Sequence, residues 1–130
     1  KELHDEDTQL GKALLRLVKG LDMKFPVDGE IEWSYITLFA YAAVEWEIPF
    51  IETANGFLWA WSENQVAAAI KVVPLGQTAG QRILSTILKD IPSAIEQSLD
   101  CRNDDIGMLA PGVAIASALH ETQYSRLFRS

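Results

Sequence analysis

The chain has 130 residues, of which 48% are hydrophobic, enough apolar material for one domain with a real core. Eleven Lys and Arg stand against 18 Asp and Glu, a net charge of -7, and the basic residues are scattered. Such a chain lacks the positive face that phosphates require, so nucleic acid is excluded as an expected partner.

The single cysteine, Cys101, cannot close an internal disulfide, and a chain of this size without staples reads as a protein of the reducing cytoplasm. The longest uncharged stretch, Ile106 to His120, is shorter than the ~20 apolar residues that span a bilayer, and Gly107, Pro111 and Gly112 interrupt it. No membrane crossing is expected. The chain opens on Lys1 and enters an amphipathic pattern with no signal-like hydrophobic region, which suggests a fragment.

Leu10, Leu14, Leu17 and Leu21 recur at helical spacing with Ala13 and Val18 beside them, predicting a first helix with one buried stripe. Its acidic start, Glu2 to Asp7, complements the helix dipole. Lys24 to Gly29 reads as a connector, bracketed by Pro26 and Gly29. A second helix is expected from about Glu30. Between Ile31 and Trp46 apolar and aromatic residues fall on nearly every face, which predicts a buried helix. Pro49 suits an opening turn, and the proline-free run Phe50 to Val73 predicts a third, long helix ending just before Pro74.

After the Pro74-Leu-Gly-Gln77 break, Ile83, Leu84, Ile87, Leu88 and Ile91 define the apolar face of a fourth helix, which Pro92 kinks or restarts. Ile95 and Leu99 extend that face. Asp100 to Asp105 is a polar link, and Pro111 opens a last helix through Val113, Ala116 and His120. The predicted fold class is all-α, a multi-helix bundle in one domain, 1–130. No internal repeat, heptad run or sheet-demanding alternation is evident.

Chemistry is sparse. Zinc or nickel sites need several ligands at workable spacing, and His4, His120 and Cys101 do not supply them, so no metal or other cofactor is expected. The acidic residues around His4 read as a solvated helix start. Gly76 to Arg82 has three residues between its glycines where a phosphate loop has four, and Gln81-Arg82 follow in place of Lys-Ser or Lys-Thr. Nucleotide binding is therefore set aside. His120 and Glu121 are neighbours that point about 100° apart on a helix, with no paired nucleophile, so catalysis is not expected. Trp33, Trp46, Trp59 and Trp61 read as core in preference to a ligand pocket.

Two features invite a partner. Lys71 interrupts the apolar run VAAAIKVV; it is either a lysine reaching water at a helix end or a binding residue. The C-terminal stretch from His120 to Ser130 mixes Tyr124, Leu127 and Phe128 with Arg126 and Arg129, residue types that dominate binding hot spots. It reads equally as a helix packed on the core or as a tail, 119–130, that orders on a partner.

Two blocks, Lys71-Val-Val-Pro-Leu-Gly-Gln-Thr-Ala-Gly-Gln-Arg-Ile-Leu84 and Ala116-Ser-Ala-Leu-His-Glu-Thr-Gln-Tyr-Ser-Arg-Leu-Phe-Arg-Ser130, resemble the UreF family of urease accessory proteins. The resemblance covers all 130 residues and begins partway into the family's pattern, as the C-terminal half or somewhat more. It implies an all-α protein that dimerises, binds a UreD-type protein (UreH in some organisms) and recruits the GTPase UreG, so that nickel reaches apo-urease. Nucleotide and metal sites would belong to UreG. On this resemblance Lys71 faces UreG, while Arg126 lies in a tail ordered by the UreD-type partner, with Tyr124, Leu127 and Phe128 as anchors. Gln77, Gly80 and Gln81 belong to the first block and are either partner-binding or structural. Two competing readings are an arginine finger, Arg82 or Arg126, acting on the GTPase, and a small-ligand pocket around Trp59 and Trp61.

Overall fold

A computed structural model describes residues 2–24, 32–73, 75–105, 107 and 111–124. Among them lie six α-helices, α1 Glu2–Gly20, α2 Tyr35–Glu45, α3 Phe50–Val72, α4 Gln77–Ile87, α5 Ile91–Leu99 and α6 Pro111–Glu121, with one 3₁₀ turn at Asn103–Asp105 and no strand. The all-α class expected from the sequence is the class observed. The chain divides into two compact units, Lys1–Phe39 with Asp104–Ser130, and Ala40–Asn103.

In the first unit α1 packs with α6. The expected buried stripe of α1 is displaced. Leu10, Leu17 and Leu21 are exposed, and the buried line runs through Gly11 and Val18 with Leu14 and Leu15 half-buried. Gly11 explains the rotation. A Cβ built there would collide with the Trp33 carbonyl oxygen and lie 3.1 Å from the Trp33 carbonyl carbon and 3.3 Å from that of Ser34, so the segment before α2 lies directly against the α1 backbone at its one side-chain-free position.

The start of α2 comes later than Glu30. Residues 32–34 are irregular, and the helix opens at Tyr35. Ser34 is the reason: its Oγ accepts a hydrogen bond from the Thr37 backbone N–H at 3.1 Å, the geometry of an N-cap. Asp7 of α1 accepts the Tyr35 N–H at 3.1 Å, so two of the orphan donors of α2 are satisfied. The acidic start of α1 thus supplies a cap to another helix. The nearby Lys12–Glu32 pair, 3.4 Å apart, is largely exposed on both sides and contributes little. The connector expected at Lys24 to Gly29 lies, beyond Lys24, outside the described residues.

α2 is not buried on all sides as its composition suggests. Leu38, Ala42 and Ala43 are buried, with Tyr35 and Phe39 half-buried on the same arc; Ile36, at the edge of that arc, and Val44, across from it, are exposed. Trp46, Trp59 and Trp61 are exposed and Trp33 half-buried, which corrects the assignment of these indoles to the core.

Two helix ends use the same device. At the end of α2, Ile48 N–H reaches the Ala43 carbonyl (2.8 Å) and Glu47 N–H that of Val44 (3.1 Å); at the end of α1, Met23 N–H reaches Val18 (3.2 Å) and Asp22 N–H reaches Lys19 (3.1 Å). Both are Schellman closures, and both place a non-glycine at positive φ, +55° at Glu47 and +56° at Asp22. That conformation costs an L-residue about 1–2 kcal/mol, less for Asp than for Glu. Glu47→Gly is therefore expected to raise stability by roughly 0.5–1 kcal/mol, and Asp22→Gly by less. Urea unfolding midpoints of the two variants would check the order; a Glu47→Gly protein no more stable than the parent would show that the turn is not strained.

In the second unit α3 packs against both α4 and α5. α3 starts after Pro49, whose backbone is extended, and ends at Val72 with Val73 as its extended C-cap, as the proline positions predict. The fourth helical pattern is two helices. Pro92 lacks an N–H and its ring clashes with the carbonyl four residues back, so the chain turns through Leu88 to Asp90 and restarts at Ile91, with Pro92 in the first turn of α5. Leu84, Ile91 and Ile95 are buried. Pro111 opens α6 as expected, but Val113, Ile115 and Leu119 on it are exposed.

Candidate partner-binding surface

The first motif block folds into the corner between α3 and α4. Val73 N–H closes the last turn of α3 on the Ala69 carbonyl at 2.8 Å, and Leu75 N–H bonds the Val73 carbonyl at 2.6 Å. Gly76, extended at φ -71° and ψ 156°, is the N-cap of α4, and its carbonyl accepts from Ala79 and Gly80 at 3.0 and 3.2 Å. Gly80 is buried. A Cβ there would collide with Ile70 Cδ1 and lie 2.9 Å from Ile70 Cγ1 and 3.4 Å from Val66 Cγ1. Gly80 therefore has a structural role: it lets α4 seat closely on α3 and fixes the angle of the corner.

Outside that seat the corner is exposed. Lys71, in the last turn of α3, points its charge where the helix dipole favours a cation, and it is exposed together with Val72, Val73, Gln77, Gln81 and Arg82. Lys71 thus lies in the last turn of α3 and Gln77 and Gln81 in the first two turns of α4, all three exposed. Val72 and Val73, 61% and 48% exposed, add apolar area beside them. Their sequence signal was a hydrophobic pair at a helix end just ahead of proline, where the chain must turn away from its core. Exposed valines flanked by a lysine and glutamines, on a packed helix pair, suit a protein partner.

The second block is only partly described. Tyr124 is exposed just beyond α6, which ends with Thr122 Oγ1 donating to the Leu119 carbonyl at 2.9 Å and Gln123 N–H to that of His120 at 3.1 Å. Arg126, Leu127 and Phe128 lie outside the described residues. Corner and tail belong to different units.

Among the described residues no group of three or more His, Cys, Asp or Glu gathers as a metal site, and Cys101 is exposed. Trp59 and Trp61 are two residues apart on α3 and so point roughly 160° away from each other, which places them on different faces and not around one pocket. No helix among the described residues is long and apolar enough to cross a membrane.

The Tyr41 phenol is held above the usual tyrosine range by partial desolvation and by the charge of Glu45, whose carboxylate accepts the phenolic O–H at 3.4 Å. The fold favours the neutral phenol, so stability is fully present below the ordinary tyrosine pKa and declines as pH rises through the raised one. Glu45→Gln is expected to move the Tyr41 titration back toward the ordinary value. Ultraviolet titration of tyrosinate checks this, and an unchanged curve would remove Glu45 as a cause.

The profile of the UreF family matches residues 1–88. The chain is 51% identical over 133 residues to the urease accessory protein UreF of Alkalilimnicola ehrlichii, covering 100% of this chain and 58% of that protein. It is 50% identical over 130 residues to that of Marinomonas sp. (100% and 56%), and 44% identical over 134 residues to that of Psychrobacter cryohalolentis (99% and 57%). The chain thus spans less than three-fifths of the length of these curated relatives. No solved structure matches it. This helical chain belongs to the UreF family.

Proposed function

We propose that the chain acts in urease maturation as a non-catalytic cytoplasmic scaffold: it binds a UreD/UreH-type accessory protein and recruits the GTPase UreG, so that nickel is delivered to apo-urease. Residues 1–130 act as one helical domain with 119–130 as its partner-binding tail, and a second copy is a further partner. The observation that carries the reading is the α3–α4 corner, where the Gly80–Ile70 seat holds Lys71, Gln77 and Gln81 exposed beside Val72 and Val73, in a chain that matches urease accessory proteins over its whole length. In this reading the Lys71 ammonium meets an acidic patch on the GTPase. Arg126, with Tyr124, Leu127 and Phe128, holds the UreD-type protein.

Co-purification with UreD- and UreG-type proteins supplied together tests it. The intact chain is expected to retain both. Lys71→Ala should keep the UreD-type protein and lose the GTPase; Arg126→Ala should lose both, each loss corresponding to at least tenfold weaker binding, about 1.4 kcal/mol. Retention of neither protein, by this chain or by a longer one containing it, would end the scaffold reading. Arg82 is exposed on α4, and a finger role for it, or for Arg126, predicts a different pattern: assembly intact and GTP hydrolysis slowed by roughly 10³-fold.

A further inference from the structure

The first motif block holds two glycines, and the fold constrains them differently. Around Gly76 nothing lies within 4 Å of an added Cβ, and its backbone, φ -71° and ψ 156°, is one that any residue adopts. Gly80, one turn into α4, is buried. A Cβ there collides with Ile70 Cδ1 and lies 2.9 Å from Ile70 Cγ1, well inside the ~3.5–4 Å at which carbons rest. Ile70 is half-buried on α3, one turn after the buried Val66, so the two helices touch where only a hydrogen fits. Each member of that contact is also the chain neighbour of a candidate binding residue: Ile70 precedes Lys71 in the last turn of α3, and Gly80 precedes Gln81 on α4. α3 ends at Val72 and α4 begins at Gln77. A shift of α4 at Gly80 is therefore a shift of Gln77 and Gln81 relative to Lys71.

We propose that Gly80 and Ile70 are positioning residues for partner binding: their contact sets Lys71, on α3, against Gln77 and Gln81, on α4, at the spacing that the GTPase recognises. The inference rests on the proposed role of those three residues. It adds that the partner reads two helices in one fixed relation. Packed interiors transmit displacement. Clearing a Cβ at position 80 moves α4 outward by on the order of 1 Å, whereas the groups of a binding surface must be held within about 0.5 Å of their productive geometry. Neither Gly80 nor Ile70 need touch the partner, since the effect passes through Lys71, Gln77 and Gln81. Packing and positioning then make opposite predictions. With Gly80→Ala in place, shortening Ile70 removes apolar contact but also removes the obstruction. Ile70→Val takes away Cδ1 and leaves a carbon in the place of Cγ1. Ile70→Ala takes away both, and the nearest atom left is Val66 Cγ1 at 3.4 Å, an ordinary contact. Core packing ranks valine above alanine at this position; positioning ranks alanine above valine.

The test titrates a UreG-type GTPase onto the full 130-residue chain held with a UreD-type protein, with the folded state of each variant verified by circular dichroism. Gly80→Ala is expected to weaken GTPase binding about tenfold while the UreD-type protein stays bound. Gly80→Ala with Ile70→Val should be intermediate, and Gly80→Ala with Ile70→Ala should return close to the parent. Gly76→Ala, in the same block but in open space, should bind as the parent does. Ile95→Ala, which opens a cavity at a buried residue of α5 away from the contact, should lower the thermal midpoint without lowering affinity. The proposal is overturned if folded Gly80→Ala binds like the parent, if the valine double variant binds at least as well as the alanine one, or if Ile95→Ala weakens binding as much as Gly80→Ala. Should Gly80→Ala alone not fold, the order of the two double variants decides. Lys71→Ala, run in parallel, separates the two levels. If it loses the GTPase while Gly80→Ala keeps it, only the positioning role falls; if it keeps the GTPase, the corner reading falls and the positioning role with it.

Discussion

Leu38→Ala is expected to destabilise the protein by about 2–5 kcal/mol, because a wholly inaccessible leucine loses both its transfer free energy and the contacts its cavity removes. Leu38 has 0% exposure, and Ala42, one turn on, is too small to fill the gap. Its exposed neighbours on α2 give the control. Ile36 and Val44 have similar bulk and are 57% and 73% exposed, so Ile36→Ala and Val44→Ala should stay within about 0.5 kcal/mol of the parent. Guanidinium midpoints of the three variants measure the difference directly. Equal losses at Leu38 and Val44 would mean that α2 is buried on both arcs in solution, as its composition alone suggests.

Gly11→Ala carries the second large effect, and its sign is set by competition. Alanine favours a helix over glycine by up to about 1 kcal/mol. Against this stands the Trp33 carbonyl, which occupies the space a Cβ needs. Backbone cannot swing aside as a side chain can, so the α2 approach must move, and with it the Ser34 cap and the Asp7–Tyr35 hydrogen bond. A net loss of about 1–3 kcal/mol is expected. Gly112→Ala, on α6 with nothing within 4 Å of the added carbon, should instead gain up to about 1 kcal/mol. Opposite shifts in thermal midpoint, of several degrees per kcal/mol for a chain this size, would establish the Trp33 contact. A stabilised Gly11→Ala protein would remove it.

The partner-facing residues lie at different depths of legibility. Lys71 draws notice because an ammonium inside VAAAIKVV must find water or a counter-charge; the structure puts it at an exposed helix end, which satisfies the water requirement. Gln77, Gly80 and Gln81 shared a motif block and could not be told apart there. The fold separates them, since Gly80 is buried beneath Ile70 while the two glutamines are exposed. The family resemblance read on the two blocks agrees with the profile match and with the relatives' identity over the whole chain.

By itself the sequence determined the helical class and most of the breaks, since a proline or glycine acts through its own backbone and its effect needs no neighbour. Pro49, Pro74, Pro92 and Pro111 each stand at or next to a helix boundary. Only the tertiary structure decided which side of each helix is inside. Where apolar residues occur on every face, as in α2 and α3, periodicity carries no direction, and the choice passes to the neighbours: Trp33 against Gly11 turns the stripe of α1, and α4 seated on Gly80 commits one face of α3 and leaves Trp61 on the other. The late start of α2 was hidden for the same reason. Asp7 is 28 residues from the N–H it caps, and a hydrogen bond across that separation exists only once the chain has brought the two ends together.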